Sequence, residues 1–247
     1  VIAVDLFGQP ADYDAIEGFC REHGLQLICD AAQAVGGIYK GRRVGSIGNF
    51  TTASFFPAKP LGCYGDGGAV LTNNAESAEL IRSLRFHGRG SEKYDNVRIG
   101  MNSRLDTLQA AILIEKMAIF EDEIATRQGV AERYAAGLAD VARVPRVPDG
   151  CQSVWAQYSI RVPAGDRDAF MNGMKARGIP TNVYYPRPLD RQTAYRRYPV
   201  AGNGLPECAR AAEEVVALPM HPYLDEATQS YIVEAARGLL RDRKSAA

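Results

Sequence analysis

The chain has 247 residues, of which 46% are hydrophobic and 23% charged, a composition typical of globular proteins. Its 29 basic residues equal its 29 acidic ones, so nothing in the net charge favours nucleic acid or an acidic membrane surface. No apolar run approaches the roughly 20 residues that cross a bilayer, and we expect a cytoplasmic protein without nucleic-acid or membrane partners.

The first half of the chain alternates predicted strands with predicted helices. Strands are expected at 1–5, 25–30, 49–56 and 69–72, and helices at 13–23 and from 73 or 74 to about 84. A strand, a helix and a further strand are typical of a parallel sheet. We therefore predict an α/β fold in which helices cover both faces of a mostly parallel sheet.

An acidic residue, Asp30, ends the predicted strand at 25–30. The carboxyl end of a buried strand is where open α/β sheets bind their ligands. A lone Asp in this position is also a common helix cap, so the position of Asp30 leaves both roles open.

A lysine lies in the proline- and glycine-rich stretch TTASFFPAKPLGCYGDGGAVL at 51–71. Pro57 and Pro60 flank Lys59, fix φ and exclude a helix. The glycines that follow permit positive φ and a close approach to a ligand. Lys59 is either a solvated lysine or a Schiff-base lysine made nucleophilic by desolvation between two buried strands.

Asp30 and Lys59 together are more specific than either alone. Pyridoxal phosphate (PLP) needs an amine that bonds its aldehyde and a carboxylate that keeps its ring nitrogen protonated. The pair therefore predicts a PLP site. A phosphate-loop nucleotide hydrolase is a poor alternative, because no Gly-Lys-Ser/Thr follows the GCYGDGG segment.

A resemblance to a known family is carried by motifs spread over nearly the whole chain. They are DAAQAVGG, SFFPAKPLGCYGDGGAVLT, FHG, GMNSRLDTLQAAIL, YYPRPLDRQTAY and LPMHPYL. These motifs resemble the DegT/StrS group of sugar aminotransferases, PLP enzymes of the aspartate-aminotransferase fold. Within the group the chain is most similar to enzymes that transfer an amino group from glutamate to UDP-2-acetamido-3-keto-glucuronate for surface polysaccharides such as lipopolysaccharide O-antigen. Aminotransferases of 4-keto-6-deoxy nucleotide sugars are the alternative.

The resemblance implies roles for individual residues around PLP. Lys59 bonds the cofactor and then moves protons, while Asp30 pairs with the ring nitrogen. Gln33 lies near the ring or its phenolic oxygen. Ser54 offers its hydroxyl to the phosphate, although a strand serine is equally an ordinary core hydroxyl. Related dehydratases carry His at the lysine position, so Lys59 favours the aminotransferases.

The resemblance also implies a homodimer with shared active sites. Asn102 would reach the phosphate of the partner's PLP, and Arg104 an acidic group of the substrate. From spacing alone, Asn102 is a helix cap. His87, in the loop at 85–101, is open between an acid–base and a structural role.

A long helical pattern begins at Asn102 and runs to about 125, then continues to 140. Its apolar residues form two stripes, too broad for burial on one side, so we predict a core helix that links two domains. These are the end of a large PLP-binding domain at 1–125 and a small α+β domain at 126–247. In the latter, strands are expected at 155–162 and 181–184, and helices at 166–177, 205–216 and 225–241.

Substrate contacts in the second domain are expected from Tyr185 and Asp190, although aromatics and prolines there also suit a packed loop. Many relatives have His where this chain has Asp190, which changes the charge offered to a sugar nucleotide. The five cysteines and three histidines are scattered, so we predict reduced thiols and no metal.

The start of the chain is unusual because Val1 opens directly in a strand without a methionine. We expect that an N-terminal segment of the PLP domain is missing. A PLP-binding but inactive or regulatory fragment is therefore a further alternative.

Overall fold

The computed structural model describes residues 1–244. The chain forms two compact units, one of residues 1–125 and 147–156, the other of residues 126–146 and those from 157 onward. The division into domains after residue 125 stays a prediction.

The first unit contains a four-stranded, mostly parallel sheet. Its elements in chain order are β1 (Ile2–Val4), α1 (Tyr13–Glu22), β2 (Ile28–Asp30), β3 (Ile38–Tyr39), β4 (Arg42–Arg43), β5 (Phe50–Ser54), β6 (Gly68–Leu71), α2 (Ala75–Leu84), α3 (Thr107–Leu138, which continues into the second unit) and β7 (Cys151–Gln152). The main sheet has the order β1-β2-β5-β6, with β6 alone antiparallel. The predicted α/β class and mostly parallel sheet are confirmed.

Helix α1 is held against the sheet by its buried tyrosine. Tyr13 packs with Cys20 and Cys29 in one apolar cluster, and its ring meets that of Tyr39 edge-on at 5.4 Å. The Tyr39 hydroxyl donates to Asp12 just before the helix, at 2.9 Å. The apolar face expected for α1 is thus buried in part: Tyr13 and Cys20 are buried, Ile16 is partly buried, and Phe19 is exposed.

A second, small antiparallel sheet of order β4-β3-β7 was not predicted from the sequence. Each of its strands has two residues, which is too short for an alternating pattern to be visible. Strand β6 corrects another expectation: Val70 and Leu71 are exposed, so Lys59 does not lie between two buried strands. The reason is that β6 is an edge strand in this sheet.

Helix α3 differs from its prediction in two respects. It begins at Thr107 rather than Asn102, because residues 102–103 pair with 85–86 through a bridge and a backbone hydrogen bond. One apolar stripe, with Leu113 and Phe120, is buried. Other apolar residues of the helix are exposed, so this part of the core-helix prediction is wrong. Leu108, Ile114 and Met117 have exposed fractions of 71%, 66% and 61%.

The second unit is an α+β arrangement around a two-stranded antiparallel sheet. Its elements after α3 are β8 (Tyr158–Arg161), α4 (Arg167–Lys175), a 3-10 turn (Leu189–Arg191), α5 (Pro206–Glu214), β9 (Val215–Leu218) and α6 (Glu226–Lys244). The strand expected at 181–184 is only a bridge from Asn182 to Ala217. The helix expected at 205–216 stops at Glu214, because its last two valines belong to the fully buried strand β9.

An ion pair in the second unit makes stability depend on pH. Arg237 donates to both carboxylate oxygens of Asp140, at 2.5 and 2.8 Å, and lowers the Asp140 pKa to about 2. Because the folded-state pKa lies below the unfolded value of 3.8, the stabilisation is present above that value and lost as pH falls towards 2.

We expect Asp140→Asn to lower the free energy of unfolding at neutral pH and to match the unsubstituted protein near pH 2. Urea unfolding at several pH values measures the difference, which should shrink at high salt because the pair is exposed. A difference that is constant down to pH 2 would contradict this assignment.

Candidate functional site

The carboxyl ends of three parallel strands bring polar side chains together at one edge of the main sheet. Val4 of β1 pairs with Asp30 of β2, which pairs in turn with Thr52 of β5. Asp5 follows β1 directly, and its backbone N–H donates to the Asp30 carbonyl at 3.0 Å. This edge is the ordinary place for a ligand in an α/β sheet.

Asp30 combines a capping contact with a free carboxylate oxygen. Its Oδ1 accepts from the backbone N–H of Ala32 at 3.1 Å and, weakly, from the Thr52 hydroxyl at 3.5 Å. Its Oδ2 makes no hydrogen bond within residues 1–244. The side chain is half-buried. A capping role therefore accounts for Asp30 Oδ1, whereas Oδ2 is able to accept a hydrogen bond from a ligand.

Lys59 lies in a loop that joins β5 to β6 and is closed on itself. The Phe55 N–H donates to Gly67 O at 2.8 Å, and Cys63 N–H donates back to Phe55 O at 2.8 Å. Lys116 of α3 donates to Gly62 O at 2.6 Å. A Cβ at Gly62 would lie 2.6 Å from the Phe56 carbonyl oxygen, so only glycine allows this closure.

The Lys59 ammonium has no hydrogen-bond or ion-pair partner in the part of the chain that is described. The side chain is half-buried, and the Lys59 backbone N–H closes a turn on Phe56 O at 2.9 Å. By contrast, Lys40 pairs with Asp14 at 2.6 Å and Lys116 with a backbone carbonyl. Lys59 is thus an amine held by its backbone and left available for a ligand.

Gln33 and Ser54, both predicted near PLP, make hydrogen bonds within the first unit. Gln33 is buried, and its Oε1 accepts from the Phe7 N–H at 2.7 Å. Ser54 ends β5, two residues after the partner of Asp30, and its Oγ accepts from Phe56 N–H at 3.3 Å. The Ser54 hydroxyl proton therefore stays available to another acceptor.

Asn102 and Arg104 are exposed and contact each other rather than the groups above. Arg104 Nε donates to Asn102 Oδ1 at 2.9 Å, and the Arg104 guanidinium lies 5.0 Å from the centre of the Phe86 ring. Asn102 is not the cap of α3, which begins five residues later. His87 is exposed with a φ of 61°, and its backbone N–H donates to Met101 O at 2.9 Å.

Tyr185 and Asp190 belong to the second unit. Tyr185 is 54% exposed. Asp190 lies in the 3-10 turn, and its buried Oδ1 has no hydrogen-bond partner among residues 1–244. Their assignment to a substrate stays a prediction.

A depression of about 870 Å³ lies elsewhere, against α2 and the loop that follows it. Four arginines line it, but Arg82 pairs with Glu79, Arg98 donates to Ser83, and Arg89 stacks on Phe86. None of the predicted site residues lines it. Over the described residues there is no group of His, Cys, Asp or Glu side chains suited to a metal. No helix between residues 1 and 244 is long and apolar enough to span a bilayer.

Two residues at the strand-end site were missed by reasoning from the sequence. Thr52 reaches Asp30 only through the register of β2 and β5, which no local pattern reveals. Asp5 had a visible signal, an acid directly after a predicted strand, as for Asp30. Its complete burial distinguishes it from an ordinary loop carboxylate.

The sheet and its polar strand ends define an α/β protein with a candidate ligand site at the carboxyl edge of its sheet. The chain belongs to the DegT/DnrJ/EryC1/StrS aminotransferase family, whose model matches residues 1–237. The predicted family is confirmed.

Curated relatives carry several different names. UDP-2-acetamido-2-deoxy-3-oxo-D-glucuronate aminotransferase of Pseudomonas aeruginosa is 46% identical over 95% of this chain and 64% of its own length. A pleiotropic regulatory protein of Geobacillus stearothermophilus is 43% identical over 95% and 63%. dTDP-3-amino-3,4,6-trideoxy-alpha-D-glucose transaminase of Streptomyces venezuelae is 37% identical over 96% and 62%. The chain thus spans less than two thirds of the length of each of these relatives.

Solved structures confirm the predicted fold. A DegT DnrJ EryC1 StrS aminotransferase from Brucella abortus superposes with a TM-score of 0.94 at 51% identity, over 97% of this chain and 64% of that one. NtdA from Bacillus subtilis, solved with the bound cofactor pyridoxamine phosphate (PMP), gives a TM-score of 0.88 at 29% identity. The match covers 97% of this chain and 56% of NtdA.

Proposed function

We propose that the protein is a PLP-dependent aminotransferase that moves an amino group from glutamate to a nucleotide-linked keto sugar. The observation that carries the proposal is the unpartnered Lys59 amine in a closed loop that follows β5, the strand paired with β2, at whose end Asp30 keeps one oxygen free within residues 1–244. An amine and a carboxylate are the groups that the aldehyde and the ring nitrogen of PLP require, so the residues present fit this cofactor. The bound PMP in NtdA supports the proposal.

When bound, PLP supplies an aldehyde and a ring that accepts electrons from the reacting carbon. Lys59 Nζ would hold it covalently and, as a free amine, would move a proton from Cα of the amino donor to C4′ of the cofactor. Asp30 Oδ2 would accept the N–H of the protonated ring nitrogen. Ser54 Oγ would donate to the phosphate, and Gln33 would border the ring.

The finer proposal is that the acceptor is UDP-2-acetamido-3-keto-glucuronate. It is supported by the name of the Pseudomonas aeruginosa relative and by Arg104, a cation suited to a uronic acid carboxylate. The Streptomyces venezuelae relative favours the alternative, a dTDP-linked deoxy sugar.

An amination assay separates these acceptors. The purified protein is incubated with PLP, glutamate and either the 3-keto UDP-uronate, its neutral 3-keto counterpart, or a 4-keto-6-deoxy nucleotide sugar, and the amino sugar is quantified. We expect the acidic 3-keto sugar to give the highest kcat/KM, and Arg104→Gln to lower kcat/KM for it but not for the neutral sugar. Turnover of the 4-keto sugar alone would overturn the finer proposal.

A regulatory protein that binds PLP without turnover is the second candidate. The name of the Geobacillus stearothermophilus relative favours it. Yellow protein that loses its visible band on borohydride reduction, but converts neither glutamate nor any keto sugar, would support this candidate. Colourless protein that gains no band with added PLP would contradict both.

We also propose that the exposed apolar residues of α3 lie in the interface of a homodimer. Leu108, Ile114 and Met117 expose apolar side chains on one helix in the first unit, where a monomer would place polar residues. A second copy offers the same apolar residues, which is the self-complementarity that a two-fold interface needs. The resemblance that predicts sharing of Asn102 between subunits supports this occupant.

Ile114→Glu is expected to weaken this dimer, raising its dissociation constant at least about tenfold, because a charge would be buried in the interface. Sedimentation equilibrium measures the change. Leu80→Glu is the matched control, since it places the same charge at an exposed leucine of α2. A monomeric unsubstituted protein, or equal dissociation constants for the two variants, would contradict the interface.

A further inference from the structure

Asp5 is a buried carboxyl that the proposed chemistry does not use. It lies directly beside Asp30 at the strand ends and is 0% exposed. Its Oδ1 accepts from the Tyr13 hydroxyl at 2.6 Å and from the Ala11 N–H at 2.8 Å. Its Oδ2 is buried and has no hydrogen-bond partner among the described residues. A carboxyl kept in such a place needs a physical reason.

The two bonds to Oδ1 tie the beginning of the turn at residues 5–13 to its end. Between them the chain takes a strained course: Phe7 has a φ of 63°, and a Cβ at Gly8 would come within 2.9 Å of the Trp155 backbone nitrogen. Gly8 O accepts from the Val154 N–H at 3.0 Å. Hydrogen bonds therefore hold the turn at both ends, and the turn packs against the segment at 153–156.

The turn at residues 5–13 places one backbone donor, the Phe7 N–H, at the candidate site. The Phe7 N–H points to Gln33 Oε1 at 2.7 Å, and this contact joins residues that lie 26 positions apart. Gln33 is buried three residues after Asp30. The turn that Asp5 holds therefore supplies one hydrogen bond to the Gln33 amide.

We propose that Asp5 is a positioning residue, whose carboxyl holds the turn at residues 5–13 so that Phe7 orients Gln33 beside the cofactor. The cofactor part of this inference rests on the proposed function, whereas the link from Asp5 to Phe7 does not. Burial, and to a smaller degree the charge of Asp30, raise the Asp5 pKa and so favour the neutral carboxyl. The hydrogen bonds from Tyr13 and Ala11 act in the opposite direction and lower this pKa. The titratable groups facing Asp5 are Tyr13, Asp30 and the buried Cys29 thiol.

Two substitutions at Asp5 separate its acceptor from its charge. Asp5→Asn keeps an oxygen for Ala11 and Tyr13, and Asp5→Ala removes it. In Asp5→Ala we expect amide exchange at Phe7 to accelerate at least about tenfold while exchange in β5 and in the second unit stays unchanged. PLP affinity, measured by absorbance titration, should fall about tenfold. Asp5→Asn should keep both values within about threefold.

A double-substitution cycle distinguishes positioning from general support of the fold. If Asp5 acts through Gln33, the loss of PLP affinity in Asp5→Ala/Gln33→Ala is smaller than the product of the single losses. Asp140→Ala, which removes a carboxylate of the second unit, is the control and should change neither readout.

Unchanged Phe7 exchange in Asp5→Ala, acceleration spread over both units, or independent losses in the cycle would each overturn the inference. If Asp5→Ala does not fold, Tyr13→Phe removes one of the two bonds to Oδ1 and should still accelerate Phe7 exchange selectively. A protein that binds no PLP defeats the proposed function, yet the Phe7 measurement still decides the link to Asp5.

Discussion

Lys59→Arg is expected to abolish transamination, with a fall in kcat of at least about 10²–10⁴-fold. Arginine keeps the positive charge in the 55–67 loop, but its guanidinium stays protonated and neither bonds an aldehyde nor moves a proton at neutral pH. The fold should survive, because the Lys59 side chain makes no contact that holds the loop, whereas its backbone N–H and Lys116 do.

The half-reaction with glutamate, followed by the change of the cofactor's visible absorbance, measures this effect. Borohydride reduction and peptide mapping should label Lys59 in the unsubstituted protein and no peptide in the variant. Lys40→Arg is the control, since Lys40 is an exposed lysine paired with Asp14. A Lys59→Arg protein that still turns over glutamate would refute the covalent role.

Asp30→Asn is expected to lower kcat by about 10²–10³-fold, because a neutral amide does not hold the proton on the ring nitrogen. Asparagine keeps an oxygen in the position of Oδ1, so the bond from the Ala32 N–H is retained. This substitution therefore separates the two roles, because a residue that only caps the turn at 32–36 would tolerate it.

Steady-state kinetics with a thermal unfolding curve measure both outcomes for Asp30→Asn. Asp149→Asn, an exposed carboxylate in the same unit, serves as the control for the loss of a charge. Full activity in Asp30→Asn would leave Asp30 as a cap alone and remove one of the two groups on which the proposed function depends.

Elements with a clear period were predictable from the sequence. The apolar face of α1 and the Asn74 cap of α2, whose Oδ1 accepts from the Ser77 N–H at 2.7 Å, follow local patterns. Elements without a period were not. Strands of two residues are too short to show alternation. The apolar run of β9 continues the helical pattern of α5 in the sequence, and only its pairing with β8 identifies it as a strand.

The sequence alone determined the strands of the main sheet, most helices, the family, and the choice of Asp30 and Lys59 as candidates, because these depend on residue types and on proline and glycine at neighbouring positions. Only the tertiary structure decided which groups surround Asp30. Parallel pairing places Thr52 and Asp5 beside it although they lie more than 20 residues away along the chain. Burial, likewise, is set by the elements that pack around a residue, which is why Asp5 is enclosed whereas Leu108 and Ile114 of α3 are exposed.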